Sequence, residues 1–476
     1  MADMPAATEL WSWTASELAS AIAAGKISSV EATQSALARM EAANPALNAV
    51  VDPLPEQAME AAKAADEALR KTGPSGPLHG VPVTVKINVD YKGRATTNGV
   101  VKFKDLIAPE DGSVVRAIKA AGGVIIGRTN TPCFSMRAFT SNDLHGMTVN
   151  PHDSTITPGG SSGGAGSATA AGIGAMGHGN DIGGSVRGPA YHCGLYGLRP
   201  TAGIAGAYSP SQLAERMIVS QMSSVQGPLA RSVEDVRLAM LAMAKPDPRD
   251  VWQTPSTGMF APLEHAPCKV AMAAESPDFP TDPAVSAAIR KAGAILADAG
   301  YEVVEVPTPS FQEAVEYWRI VLGNEMRAGL AGMMEEIGDA KMKRALEVTL
   351  RGVPEIADRD GMLKLIAKRS TMLREWQVFL AEHPLILTAT CWSKPFEEDY
   401  DQRDDLDADA FFAAMAPLTG TPTIGLPGFS VPVDTVPGKP MGVQLISARY
   451  GDRALLNAGA VLERGIGPIA PIDPRG

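Results

Sequence analysis

Between Gly159 and Ser185 the chain reads GGSSGGAGSATAAGIGAMGHGNDIGGS. Ser161, Ser162 and Ser185 flank glycine pairs, and the stretch holds one aspartate, Asp181, and one histidine, His178. A hydroxyl nucleophile beside bare backbone amides suits acyl transfer, because successive amides can converge on a developing oxyanion. Two shorter patterns inside the stretch fail on context. Gly172, Gly174 and Gly177 satisfy G-x-G-x-x-G, but a helical segment precedes them and no helix opens there, against the needs of a dinucleotide site. Gly160, Ser162 and Gly164 satisfy G-x-S-x-G, but the polar, proline-broken NPHDSTITPGG stands where a nucleophile elbow needs a buried strand. No Gly-Lys-Ser/Thr follows the glycines, which excludes a phosphate loop.

A longer pattern spans the whole stretch: GGSSGG from Gly159 to Gly164, then Gly179, Asp181, Gly183, Gly184, Ser185, Arg187, Pro189 and Ala190. It resembles the signature of the amidase signature family, whose members cleave carboxamide bonds with a Ser–Ser–Lys triad. The resemblance continues in GPLHGVPVTVKINVDYKGRATTNG, VIIGRTNTP, CGLYGLRPTAG, QGPLARSVEDV and GLPGFSVPV…PMGVQLI, and is weakest over 310–415. It implies Ser185 as nucleophile, Ser161 as bridging serine after a cis peptide from Gly160, and Lys86 as base. It also implies an oxyanion hole from the amides of Ile182, Gly183, Gly184 and Ser185. Gly160, Ser162, Asp181 and Arg187 are expected to support the site, the last two by orienting the loop. His178 and His192 are expected to be packed rather than chemical. Lys86 is followed by Ile87 and Asn88 where the family usually has aspartate next. Asn180 replaces a frequent threonine, Cys133 a frequent glutamate, and Ser224 an aspartate common among amidotransferase subunits. None of these departures touches the triad.

With no histidine at a motif position, the triad assigns proton transfer to Lys86. A lysine with an ordinary pKa of about 10.4 is charged at neutral pH, so this role requires burial to depress it. The expected reaction is hydrolysis of a small apolar or aryl amide to a carboxylic acid and ammonia or amine, through a Ser185 acyl-enzyme. The alternative is the glutaminase subunit of a tRNA-dependent amidotransferase, which needs a partner chain. Trp318, Met326, Met333, Met334 and Trp392 are candidates to line an acyl pocket, with core packing as the alternative.

The elements that must position these residues can be read outward from Lys86. VPVTVKINV alternates strictly, with Val83, Val85 and Ile87 on one face and Thr84, Lys86 and Asn88 on the other, which predicts a strand. GGVIIGRTN predicts a second strand after a helix near 113–121. Thr14–Glu17 and Ser28–Glu31 have capping-box spacing and predict two early helices, the second stopped at ANPA. GPLARSVEDVRLAMLAMA reads as a helix, CKVAMAA and YEVVEVP as strands around the helix DPAVSAAIRKAGAILADAG. TPTIGLPGFSVPV and MGVQLISA read as strands joined through PGKP. Residues 310–415 read as helical, with FEEDYDQRDDLDAD as a solvated acidic face.

These elements suggest an α/β class. The resemblance specifies a large mixed β-sheet with helices on both faces, here as one domain over 1–476 with 310–415 as a helical pocket elaboration. The chain's 476 residues, 45% of them hydrophobic, supply a sizeable core. A net charge of −11 argues against nucleic acid or an anionic membrane as partner. No apolar run is long enough for a spanning helix, and no signal peptide is visible. Cys133, Cys193, Cys268 and Cys391 form no CxxC pair, which predicts reduced thiols, a cytoplasmic setting and no zinc site. No metal or cofactor is expected. The expected partner is a small-molecule amide, and a homodimer is the assembly left open.

Overall fold

The frame of the protein is one mixed sheet of eleven strands in a computed structural model that describes residues 7–212, 214–256, 258–434 and 440–475. In chain order the strands are β1 (Val50–Pro53), β2 (Pro82–Lys86), β3 (Val124–Thr129), a separate small hairpin of β4 (Ser141–Asn142) and β5 (Gly146–Met147), then β6 (Met176–Asp181), β7 (Tyr196–Arg199), β8 (Val225–Ala230), β9 (Lys269–Met272), β10 (Glu302–Glu305), β11 (Leu385–Ala389), β12 (Gly428–Asp434) and β13 (Met441–Ser447). Across the sheet they lie in the order β1-β3-β2-β6-β8-β7-β12-β13-β11-β9-β10. The groups β3-β2-β6 and β11-β9-β10 pair in parallel, and the remaining neighbours are antiparallel. Both β2 and β3 are buried along their whole length. The alternation in VPVTVKINV therefore marks two buried faces of different chemistry rather than an inside and an outside.

The early helices form as their caps dictate. Thr14 and Ser28 accept the backbone N–H of Glu17 and Glu31, and each glutamate returns the bond. The second helix, Ser29–Leu47, carries Pro45 in its last turn and ends at Asn48, whose left-handed φ of 48° turns the chain. Helix Val233–Met243 starts only after Ser232, because the preceding VQGPLA is β8. Gly227 and Pro228 disguise that strand as a loop. A Cβ at Gly227 would lie 2.1 Å from the Leu198 carbonyl oxygen, so the close pairing of β8 with β7 demands glycine.

Residues 310–415 contain the helices Phe311–Gly329, Ala331–Ile337, Ala340–Leu350 and Arg359–Glu382, but also β11, which pairs with β13 and β9. LILTA is buried on both faces and so lacks the alternation that marks a half-exposed strand. The acidic run is not simply a solvated face. Asp401 is buried and Asp399 partly so, and both accept bonds from the buried Arg137 guanidinium, at 2.6–2.8 Å. Strands β12 and β13 fall within the two expected segments and pair antiparallel, but TPTI at the head of the first is a short helix, Thr421–Ile424, and most of PGKP falls in 435–439, outside the described residues.

Candidate active site

Lys86 is the last residue of β2, and β6 lies beside it in parallel register with Thr84 opposite Gly177. The side chain of Lys86 is fully buried. Its Nζ lies 2.7 Å from Ser161 Oγ and 2.9 Å from Asn180 Oδ1. Burial drives its pKa well below the ordinary lysine value, with the Asp181 carboxylate opposing that shift. A lysine shifted this way keeps its neutral, proton-accepting form toward lower pH than an ordinary one. Ser161 sits in the turn before helix Gly163–Ala170, and the Gly160–Ser161 peptide is cis. A Cβ at Gly160 would fall 2.5 Å from the Arg137 carbonyl oxygen, so only glycine lets this turn press against its neighbour. Ser162 is buried at the helix start and its hydroxyl has no hydrogen-bond partner among the described residues.

His178 packs under Lys86. Its Nδ1 accepts the Lys86 backbone N–H at 3.4 Å and its Nε2 lies 2.8 Å from Gln226 Oε1, which assigns the ring proton to Nε2. Burial holds its pKa down to about 4. His192 is likewise buried, held down to about 4, with Nδ1 2.8 Å from the Gly188 carbonyl.

After β6 the chain turns through Ile182–Gly184 to Ser185 and helix Arg187–His192. Asp181 gathers this turn from below. Its carboxylate accepts the N–H of Gly184 at 2.9 Å, that of Val186 at 3.2 Å and Arg187 Nε at 3.0 Å. Arg199 donates to the Asp181 backbone carbonyl at 2.6 Å. Burial pushes the Asp181 carboxyl up, but Arg187, Arg199 and the Gly184 amide outweigh it and hold the pKa at about 2. One expected oxyanion donor is thus already engaged: the Gly184 N–H points at Asp181. The amides of Ile182, Gly183 and Ser185 have no protein acceptor among the described residues. Gly184 has φ 103°, and a Cβ there would sit 2.2 Å from Leu418 Cγ.

Ser185 is half-buried and lines a cavity of about 90 Å³, partly open to solvent and small beside the roughly 300–1,000 Å³ of most small-molecule sites. Gly160, Ile182 and Gly183 share its wall with Trp318, Phe412, Met415 and Leu418, and Trp318 and Leu418 pack directly on Gly183 and Gly184. Of the expected pocket residues Trp318 is in this wall. Its indole Nε1 donates to the Ile182 carbonyl at 3.0 Å. Met326 and Met334 instead belong to a separate apolar cluster with Cys133 and Phe134, against which Met333 packs. Trp392 is buried with its ring edge-on to Phe311. These four lie away from the cavity because their helical and loop positions point into neighbouring apolar packing.

Asn180, Phe412, Met415 and Leu418 were not expected at the site. Asn180 carried a signal, since it departs from the family pattern one residue before Asp181. The three apolar residues sit in short helical segments with no periodicity long enough to assign a face.

The sheet, the buried lysine–serine contact and the loop of bare amides define an amide hydrolase. A family model described as Amidase matches residues 31–456, and the chain belongs to the amidase signature family. It is an amidase, acting on amide C–N bonds. It is 43% identical to an indoleacetamide hydrolase from Bradyrhizobium diazoefficiens, over 97% of this chain and 88% of the relative. It is 32% identical to a glutamyl-tRNA(Gln) amidotransferase subunit from Deinococcus radiodurans, over 94% and 96%. The solved structure of 6-aminohexanoate cyclic dimer hydrolase superposes with a TM-score of 0.81 at 26% identity, over 96% of this chain and 97% of that one. Among the described residues no helix is long and apolar enough to cross a membrane.

Proposed function

We propose that the protein hydrolyses indoleacetamide or a similarly sized arylacetamide through a Ser185 acyl-enzyme. The observation that carries the mechanism is the buried Lys86 Nζ–Ser161 Oγ contact of 2.7 Å, with Gly160, the residue before Ser161, sharing the cavity wall with Ser185. Ser185 Oγ attacks the amide carbonyl carbon, its proton passes to Ser161, and the Ser161 proton passes to Lys86. The oxyanion takes donors from the Ile182, Gly183 and Ser185 amides, while Gly184 braces the loop through Asp181. The proton returns from the Lys86 ammonium through Ser161 to the leaving nitrogen as the C–N bond breaks. Water then attacks the Ser185 ester by the same relay, releasing the carboxylic acid.

The apolar cavity wall and the 43% identity to an indoleacetamide hydrolase support the substrate class. The lower identity to the amidotransferase chain supports a stand-alone enzyme over a glutaminase component. We further propose one working domain with 310–415 as the segment that shapes the pocket. Four unpaired cysteines fit a reducing cytoplasmic setting, and the acidic net charge fits a small-molecule partner. The test is ammonia and acid release from indoleacetamide, phenylacetamide, acetamide and glutamine by wild type and Ser185→Ala. Wild type turns over the two aryl amides and S185A none. Turnover of glutamine alone would overturn the substrate class, and turnover by S185A the mechanism.

A further inference from the structure

Lys86 has two side-chain neighbours at hydrogen-bond distance, and only one of them belongs to the triad. The other, Asn180, is held by a reciprocal amide pair: Asn180 Nδ2 donates to Asn88 Oδ1 at 2.9 Å and Asn88 Nδ2 donates back to Asn180 Oδ1 at 3.3 Å. Asn88 Nδ2 also donates to Ser135 Oγ at 3.0 Å, and Ser135 donates to Asn98 Oδ1 at 2.6 Å. The chain of bonds leaves Asn180 one orientation, with its carbonyl oxygen toward Lys86. We infer that Asn180, fixed by Asn88, is a positioning residue for the base: it accepts a Lys86 N–H and so aims the amine lone pair at Ser161.

This inference rests on the Ser–Ser–Lys reading and adds to it. A neutral amine can rotate about its last carbon–nitrogen bond, and Ser161 alone cannot hold it, because that bond is the one the proton crosses. When Lys86 becomes an ammonium the same carbonyl solvates it inside a site that excludes water. A carboxamide does this without a charge, whereas a carboxylate at 2.9 Å would hold the lysine protonated and end its use as a base. The other titratable groups facing Lys86 come from β6, Asp181 below the loop and the neutral His178. On β3, Arg128 turns away, to Asp52 and to the carbonyls of Ile87 and Val89. Helix Gly163–Ala170 carries no titratable side chain.

The test is the full pH profile of kcat and kcat/KM for purified Asn180→Ala, Asn180→Asp and Asn88→Ala on one aryl amide, with thermal melts for each. Asn180→Ala is expected to lower kcat about 10- to 100-fold at neutral pH with KM within about twofold, the range for hydrogen bonds to charged groups. Asn88→Ala moves kcat the same way by less. Asn180→Asp moves the acidic limb of kcat/KM to higher pH, so that activity lost at neutral pH returns under alkaline conditions. An unshifted limb in a folded Asn180→Asp would mean that residue 180 does not face Lys86, and overturns the inference. So does a wild-type kcat in Asn180→Ala. If either of these two variants melts below the assay temperature, Asn88→Ala decides: reduced kcat supports and wild-type kcat overturns. Lys86→Ala separates the two levels, since retained activity there removes the relay itself. Its inactivity beside an unshifted Asn180→Asp removes only the role of Asn180.

Discussion

The two walls of the cavity are built by different means. The catalytic side, Ser185 in the cavity wall together with the buried Lys86 and Ser161, is backbone and buried polar groups at the ends of β2 and β6, fixed by Asp181, Arg187 and Arg199. The other wall is the apolar set Trp318, Phe412, Met415 and Leu418. A buried ion pair loses about 3–5 kcal/mol when one partner is removed, so the first wall tolerates little change. An apolar wall tolerates exchange of shape for shape far better. The contrast assigns rate to one side and selectivity to the other. It is joined at few points, among them Trp318 to the Ile182 carbonyl and Arg187 to the Leu418 carbonyl at 2.6 Å.

The largest break comes from the strand-end wall. Lys86→Ala is expected to lower kcat by about 10⁴-fold, as for removal of a triad member, with KM little changed. Turnover within tenfold of wild type would mean that this wall does not hold the base. In the wild type, burial keeps Lys86 neutral toward lower pH than an ordinary lysine. Activity is therefore present above its depressed pKa and lost as pH falls through it. Next comes Gly184→Ala. Its Cβ would strike Leu418 from a backbone with φ 103°, displacing the amides of Gly183 and Ser185. Loss of one oxyanion donor lowers kcat by about 10²–10³-fold, and a steady-state assay reads that directly. An unchanged kcat with raised KM would place Gly184 on the selectivity side instead.

How much of this was legible depended on whether a residue's role is local. The caps at Thr14 and Ser28, the alternation around Lys86 and the signature glycines are short-range, and each can be read from a few neighbours. Strands β6, β8 and β11 were hidden, because MGHGND is interrupted by two glycines, VQGPLA by Gly227 and Pro228, and LILTA is buried on both faces. At the site, Asp181 and Arg187 were read as loop orienters and their bonds fit that description. The engagement of the Gly184 amide was not legible, since it depends on how the turn folds back over Asp181. Nor was the mixed fate of the acidic run, which the buried Arg137 guanidinium from a distant segment decides.

Two smaller changes test the seam and the far wall. Trp318→Phe keeps an aromatic ring but leaves the Ile182 carbonyl without its indole donor. Loss of a partly exposed hydrogen bond costs about 0.5–1.5 kcal/mol, so a loss of up to about tenfold is expected in kcat, because the carbonyl belongs to the loop that carries the oxyanion donors. A change confined to KM would show that the seam serves binding alone. Met415→Ala is expected to do the least. Met415 lines the cavity and is nearly fully buried. Removing its thioether gives up apolar contact worth about 1 kcal/mol, which is about fivefold in KM for an aryl amide. Acetamide, too short to reach that wall, should keep its KM, and kcat should hold for both substrates. The pair of substrates separates the two walls: a fall in kcat for acetamide as well would mean that the apolar wall braces the catalytic loop, and that rate and selectivity are not divided between the two sides.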